Sequence, residues 1–125
     1  MSDKPIYDTA NAYLPHERLD AYRLALELHA AGTALMPKRG RAALRDQLER
    51  ATMSIVLNIA EGAGRSTDAD QRKFFDIAKG SATETAAILD ILRGLDGARS
   101  DNCAAARALV IRVVQTLTRL SGDRR

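Results

Sequence analysis

The feature that most constrains the fold is the absence of proline after Pro37. Proline removes a backbone donor and clashes with the preceding helical turn, so the rest of the chain is free to form long helices. Within it, apolar residues recur at helical spacing, for example Leu48, Ala51, Ile55 and Ile59. The apolar residues are mainly Ala, Leu, Ile and Val, a mixture that suits close helix packing better than a sheet. The sequence therefore predicts an all-α protein.

Four helices are predicted, each bounded by a local signal. They span about residues 16–35, 41–61, 67–95 and 101–120, between a flexible leader over 1–15 and a frayed tail over 122–125. Pro37 ends the first helix, because a residue before proline avoids the α region. Gly62 or Gly64 is expected to form a left-handed cap, and Thr67 or Asp68 to cap the third helix. Short loops between four helices predict an antiparallel up-down-up-down bundle.

The inward faces are predicted from the same spacing. The predicted faces are Leu19, Tyr22, Leu26, His29 and Thr33 in the first helix; Phe74, Ile77, Ser81, Glu84, Ile88 and Leu92 in the third; and Ala106, Leu109, Val110, Val113, Val114, Leu117 and Leu120 in the fourth. Ala25, Leu28 and Leu35 widen the first of these faces, and Ala78 and Leu95 adjoin the third. A glycine in mid-helix costs roughly 1 kcal/mol relative to alanine. Gly80 therefore suggests that a neighbouring helix approaches closely at that point.

A polar ridge lies beside the apolar face of the second helix. The residues expected to form one structural polar network with the third helix are Gln47, Arg50, Ser54, Asn58, Glu61, Ser81 and Glu84. Since a buried carboxylate needs a partner, Glu84 is expected to pair with Arg50 or Gln47. A catalytic, ligand or partner-contact role for the ridge is the alternative interpretation.

Signatures of enzymatic chemistry are weak. A di-iron bundle needs Glu-x-x-His motifs and a zinc site needs clustered Cys and His, but the chain has one cysteine, Cys103, and two separate histidines. Arg23 and His29 match the spacing of helical RNases, which leaves such an RNase as a minor alternative. The favoured expectation is a non-enzymatic protein without catalytic residues, cofactor or metal. Cys103, lying among alanines, is expected to pack as a small apolar side chain.

The charge distribution offers one positive indication of function. The chain carries a net charge of +3 and a pI near 9.4, which permits but does not require binding to a polyanion. The candidate contacts to nucleic-acid phosphates are Lys38, Arg39, Arg41, Arg45, Arg65, Arg72, Lys73, Arg112 and Arg119. Ordinary solvated surface is the competing interpretation. The lone cysteine and the lack of a signal peptide or long apolar run predict a cytoplasmic protein that does not contact membranes.

Two strings carry a family resemblance. One is Asn-Ile-Ala-Glu-Gly-Ala-Gly-Arg, from Asn58 to Arg65, and the other is Ala-x-Gly-Ser-x-x-Glu, from Ala78 to Glu84. Together with Gln47-Leu48, Ser54-Ile55 and Phe74-Phe75, they resemble the four-helix bundle family also called 23S rRNA intervening-sequence proteins. The likeness extends over about residues 17–121.

The resemblance implies an antiparallel four-helix bundle that assembles as a ring-shaped homopentamer. Some members of that family are encoded inside insertions in large-subunit rRNA genes. The accessory variability protein of diversity-generating retroelements is a similar bundle and binds nucleic acid and a reverse transcriptase. The resemblance therefore implies a homo-oligomer with RNA or DNA, and a protein such as a reverse transcriptase, as expected partners. A purely structural interaction module without nucleic-acid affinity is the alternative.

Overall fold

The computed structural model describes residues 14–36, 39–95 and 100–122. A short 3-10 helix, Pro15–Arg18, precedes four α-helices. These are α1 (Asp20–Leu35), α2 (Ala42–Ala63), α3 (Asp68–Leu95) and α4 (Ser100–Leu120). The described ranges contain no strand. The predicted all-α bundle is confirmed, while the leader and the tail lie almost entirely outside the described residues.

Each helix packs against its neighbours in sequence, and α1 packs against α4 to close the bundle. The most extensive packing joins α2 to α3. Fully buried large side chains include Leu28, Leu48, Ile59, Leu89 and Leu117. Alanines lie among them and let the helix backbones approach closely. No helix in the described ranges is long and apolar enough to cross a bilayer.

The helix ends follow local chemistry. Met36 is extended, with φ −74° and ψ 141°, as expected for the residue before Pro37. At the start of α3, the Asp70 backbone N–H donates to Thr67 Oγ1 at 3.2 Å. Thr67, rather than Asp68, therefore supplies the N-cap.

The predicted left-handed glycine cap of α2 is wrong. The helix continues to Ala63, and Gly64 has φ −86°, which any residue can adopt. Gly62 is buried inside the helix, where an added Cβ would lie 2.8 Å from Phe75 Cε1 and 3.1 Å from Phe74 Cβ. Glycine is required at this position because α3 approaches closely, not because the chain turns.

The predicted inward face of α3 is partly wrong: Ile88 and Leu92 are buried as predicted, but Ile77 and Glu84 are not. The buried residues of α3 are Phe75, Ala78, Ala82, Thr85, Ile88, Leu89 and Leu92. Ile77 is 44% exposed, and Glu84 is exposed as well. A step of one residue turns a helix by about 100°, and α3 carries a second apolar stripe beside the buried one. A Cβ at Gly80 would meet nothing within 4 Å, so no described helix of the same chain explains that glycine.

The other helices agree more closely with their patterns. Leu48, Ala51, Ile55 and Ile59 of α2 are all buried, as predicted. The α4 pattern is mostly confirmed, although Leu120 is exposed, and Cys103 is buried as predicted. In α1, the residues predicted to widen the face, Ala25, Leu28 and Leu35, are buried, together with Ala21, Leu24 and Gly32. The residues predicted to lie along the face are displaced from the core: Leu19, Tyr22, Leu26 and His29 are half-buried and Thr33 is exposed. As in α3, apolar residues flank the true core stripe of α1 and widen the pattern.

Candidate nucleic-acid interface

The first group of predicted basic residues lies at the connection between α1 and α2. Arg39 and Arg41 are exposed there, and Arg45 Nη1 donates to the Gly40 carbonyl at 3.0 Å. Gly40 and Arg41 are consecutive residues with positive φ, 78° and 54°. Because Arg45 stabilises this turn through its hydrogen bond, Arg39 and Arg41 are the most accessible cations of the α1–α2 connection. Lys38 lies outside the described residues.

The second group lies at the connection between α2 and α3. Arg65 forms an ion pair with Glu61, and its guanidinium carbon lies 4.8 Å from the centre of the Phe74 ring. The Lys73 ammonium lies 5.7 Å from the same centre. Arg72 Nε donates to the Ser121 carbonyl at 3.1 Å and so ties α3 to the end of α4. Lys73 is therefore the cation of this group with the fewest contacts to other side chains and to the backbone.

The two groups are at opposite ends of the bundle. A helix rises 1.5 Å per residue, so the 22 residues of α2 separate its ends by roughly 33 Å. Arg119 belongs to the second end because α4 finishes beside the start of α3. Arg112 is exposed two turns earlier on α4. The structure does not bring the predicted basic residues into one surface; it divides most of them between two basic ends, the Arg39–Arg41 end and the Lys73 end.

Part of the predicted polar network lies between α2 and α3. Ser54 Oγ and Ser81 Oγ are 2.7 Å apart. Asn58 Nδ2 donates to the Ser54 carbonyl at 2.8 Å and to Ser54 Oγ at 3.1 Å. Glu61 instead pairs with Arg65, along the same chain. Of these contacts, the one between Ser54 and Ser81 joins the two helices and fixes the height of α2 relative to α3.

The other predicted members of the network do not join it. Gln47, Arg50 and Glu84 are all exposed, and no hydrogen bond or ion pair connects them within the described ranges. The predicted pairing of Glu84 with Arg50 or Gln47 is wrong because α3 is rotated so that Glu84 reaches solvent. Water, rather than a buried partner, stabilises its charge.

The sequence model of the 23S rRNA-intervening sequence protein family matches residues 17–119. The chain belongs to this family. No curated protein matches the sequence. The predicted resemblance is thus confirmed for nearly the whole bundle, including both strings that suggested it.

This family member exposes several large apolar side chains on the outer side of α2 and α3. We call these exposed residues, Met53 and Leu57 of α2 and Ile77, Ile91 and Leu95 of α3, the outer α2–α3 face. Because Ser54 contacts Ser81 and the helices are antiparallel, Leu57 and Ile77 lie at a similar height. Leu57 is 60% exposed and Ile91 is 53% exposed. Sequence periodicity assigned Ile77 to the core and therefore missed this surface.

The RNase-like pair is not brought together. Residues six apart on a helix are separated by about 120° around its axis, so Arg23 and His29 occupy different sides of α1. His29 Nδ1 lies 2.8 Å from Thr52 Oγ1 and helps to join α1 to α2. The described ranges contain no group of three or more His, Cys, Asp or Glu side chains suited to a metal ion.

Two arginines outside the predicted set also share one site. Arg93 of α3 and Arg107 of α4 line a cleft between these helices. They lie on different helices with a connection between them, so no spacing rule could pair them. The pairing follows only from the antiparallel packing of α3 on α4.

Proposed function

We propose that this family member is a non-enzymatic, self-associating bundle that binds RNA or DNA through its two basic ends. The observation that carries the proposal is the clustering of exposed cations at the ends, with apolar residues exposed along the side. Such a chain can associate through its side while its ends stay accessible. The lone, buried cysteine supports a reducing, cytoplasmic location as part of the same proposal.

The expected binding mode is contact with the phosphate backbone. Arg39, Arg41 and Lys73 are exposed and project from the ends, where they can replace the counterions of a nucleic acid. Phe74 is half-buried and its ring is already beside Arg65 and Lys73. With no other aromatic side chain beside these cations in the described ranges, stacking on bases is not supported. Binding of this kind depends little on base sequence and strongly on salt.

The first experiment neutralises these accessible cations. We expect Arg39→Gln/Arg41→Gln/Lys73→Gln to weaken binding to a labelled RNA about tenfold or more at low salt, since phosphate contacts supply most non-specific affinity. Fluorescence anisotropy measures the affinity. The control is Arg50→Gln, which removes an exposed cation from the middle of α2 and should change binding little.

The absence of binding by the unmodified protein at low salt would refute the nucleic-acid proposal. Equal effects of the triple variant and of Arg50→Gln, after correction for the number of charges removed, would refute the assignment to the ends. Light scattering on each variant shows whether its assembly is intact, so that weaker binding is not mistaken for dissociation of the assembly.

Self-association is proposed through the outer α2–α3 face. Burying Leu57 and Ile91 against a second copy would remove apolar surface from water, at about 25 cal/mol per Å². Gly80 lies on the same side of α3, and the open space at its Cα would let another helix approach closely. A ring of five copies is the assembly implied by the resemblance of the sequence to the bundle family.

The second experiment measures the mass of the assembly. We expect light scattering to give a multiple of the 13.6 kDa chain, and Leu57→Asp/Ile77→Asp to reduce it towards that of one chain. Gln115→Asp, at an exposed position of α4, is the matched control and should leave the mass unchanged. A mass of one chain at high protein concentration would contradict the proposal.

A purely structural interaction module is the second candidate function. The outer α2–α3 face favours it as much as it favours an assembly that also binds nucleic acid, because apolar surface serves protein contacts. A protein partner such as a reverse transcriptase is compatible with both candidates, since a nucleic-acid-binding bundle can also act as a scaffold. The purely structural module predicts tight association without any affinity for RNA or DNA, so the anisotropy experiment distinguishes the two candidates.

A further inference from the structure

A cleft of about 420 Å³ lies between α3 and α4. This volume falls within the range of small-molecule sites, roughly 300–1,000 Å³. Ala108 and Ile111 of α4 form an apolar side of the cleft, and Leu89 of α3 also lines it. The side chains of Arg93 and Arg107 border the same cleft. Cationic and apolar surfaces therefore meet in one concave site. Because α3 runs antiparallel to α2 and ends at Leu95, this cleft lies towards the Arg39–Arg41 end of the bundle but is formed by other residues.

The charged groups of the cleft are weakly engaged with one another. Arg107 Nε lies 3.9 Å from Asp90 Oδ1, which is too long for a hydrogen bond. Both side chains are more than half exposed. Arg93 forms no ion pair within the described ranges. Two guanidinium groups against one carboxylate leave the cleft with a net charge of +1, and their donors are accessible to a ligand.

We propose that this cleft binds a nucleoside phosphate. Guanidinium groups match the geometry of phosphate oxygens and can donate two parallel hydrogen bonds to them. The phosphate lies between Arg93 and Arg107. The base or sugar covers Ala108 and Ile111. The proposal does not depend on nucleic-acid binding by the two ends.

The apolar side of the cleft explains why the ligand is a nucleoside phosphate rather than inorganic phosphate. Ile111 is 44% exposed although it lies beside the buried Val110. A planar base placed against it removes apolar surface from water. Inorganic phosphate interacts only with the arginines. A nucleoside without phosphate interacts only with the apolar side.

The test is a nuclear magnetic resonance titration of the full chain with adenosine monophosphate, inorganic phosphate and adenosine. We expect saturable shifts of the backbone amides of Ala104, Ala108 and Ile111 with adenosine monophosphate, and weaker binding of the other two probes. Arg93→Gln/Arg107→Gln should lower the affinity about a hundredfold, or roughly tenfold for each guanidinium group removed. Arg112→Gln, an exposed α4 variant outside the cleft, should have no effect.

A second variant separates the two parts of the site. Ile111→Ser should weaken the binding of adenosine monophosphate but leave that of inorganic phosphate unchanged. This comparison remains informative if the double arginine variant does not fold. A short RNA with a terminal phosphate identifies the source of the ligand. Competition with adenosine monophosphate indicates the end of a strand, and a lack of competition indicates a free nucleotide.

Three results would overturn the proposal. One is the absence of saturable shifts at millimolar adenosine monophosphate. Another is a set of shifts at Arg39, Arg41 and Lys73 instead of the cleft. The third is an equal reduction in affinity in Arg112→Gln and Arg93→Gln/Arg107→Gln. The second result would assign nucleotide binding to the basic ends and leave the function proposed for them standing.

Discussion

At the scale of single residues, two mid-helix glycines have opposite surroundings. Gly62 of α2 lies against Phe75, where an added Cβ would be 2.8 Å from a ring carbon. Gly80 of α3 has no atom within 4 Å of the same position. Both lower the intrinsic stability of their helices relative to alanine. Within the described part of the chain, packing against a neighbouring helix offsets this loss of stability at Gly62 but not at Gly80.

Replacing Gly62 by alanine should therefore destabilise the bundle. The gain in helix propensity is outweighed by the clash with Phe75 and Phe74, and we expect the free energy of unfolding to fall by about 1–3 kcal/mol. Chemical denaturation measures this change. Gly64→Ala is the control, because Gly64 is exposed, has negative φ and has only ordinary contacts. A more stable Gly62→Ala protein would contradict the close packing of α2 and α3 at this position.

Gly80→Ala should give the opposite result in a dilute, dissociated chain. The new methyl group meets no neighbour, so the free energy of unfolding should rise by about 1 kcal/mol. The same variant should weaken self-association, because a neighbouring copy can no longer approach α3 as closely. Unfolding is measured at a protein concentration low enough to dissociate the assembly, and light scattering over a range of higher concentrations. An unchanged assembly mass and affinity would exclude close approach at Gly80.

At the scale of elements, α2 and α3 show what the sequence can and cannot predict. Positions 48, 51, 55 and 59 form one narrow apolar stripe on α2, and its burial is predicted correctly. In α3, one stripe contains Phe75 and Leu89, and a neighbouring stripe contains Ile77 and Ile91. Periodicity detects both, but only the packing of α3 against α2 and α4 determines which is buried. The stripe that contains Ile77 and Ile91 is exposed and belongs to the outer α2–α3 face.

The candidate sites show the same limit. Composition and charge identified most of the exposed cations. Their order along the chain, however, does not give the distances between cations that belong to different helices. The antiparallel topology places Arg41 and Lys73 roughly 33 Å apart at opposite ends. It also brings Arg93 and Arg107 to one cleft. These relations depend on contacts between helices, which one sequence does not specify.

The start of α3 allows a local test of the described helix boundary. Thr67 Oγ1 accepts from the Asp70 backbone N–H, so Thr67→Ala should lower the free energy of unfolding by about 1 kcal/mol. Thr83→Ala is the matched control. Thr83 is exposed in mid-helix and donates to the Lys79 carbonyl of its own helix, so its replacement should be neutral or slightly stabilising. Similar losses of stability in both variants would contradict the assignment of Thr67 as the N-cap of α3.

At the scale of the whole molecule, the bundle separates two kinds of surface. Its ends carry accessible cations and its outer α2–α3 face carries apolar side chains. If copies associate side by side, each basic end is repeated around the assembly and many phosphates can be contacted at once. Individually weak contacts then combine into a higher apparent affinity. We therefore expect variants that dissociate the assembly, such as Leu57→Asp/Ile77→Asp, to lose RNA affinity without losing any cation.

The most direct test of the central claim is the salt dependence of RNA binding by the assembled protein. Each phosphate contact contributes about −0.7 to the slope of log affinity against log salt for single strands. We expect a slope of about −2 or steeper for the unmodified protein, and one shallower by about 2 for Arg39→Gln/Arg41→Gln/Lys73→Gln. A slope near zero, or the same slope in both proteins, would contradict binding through the basic ends.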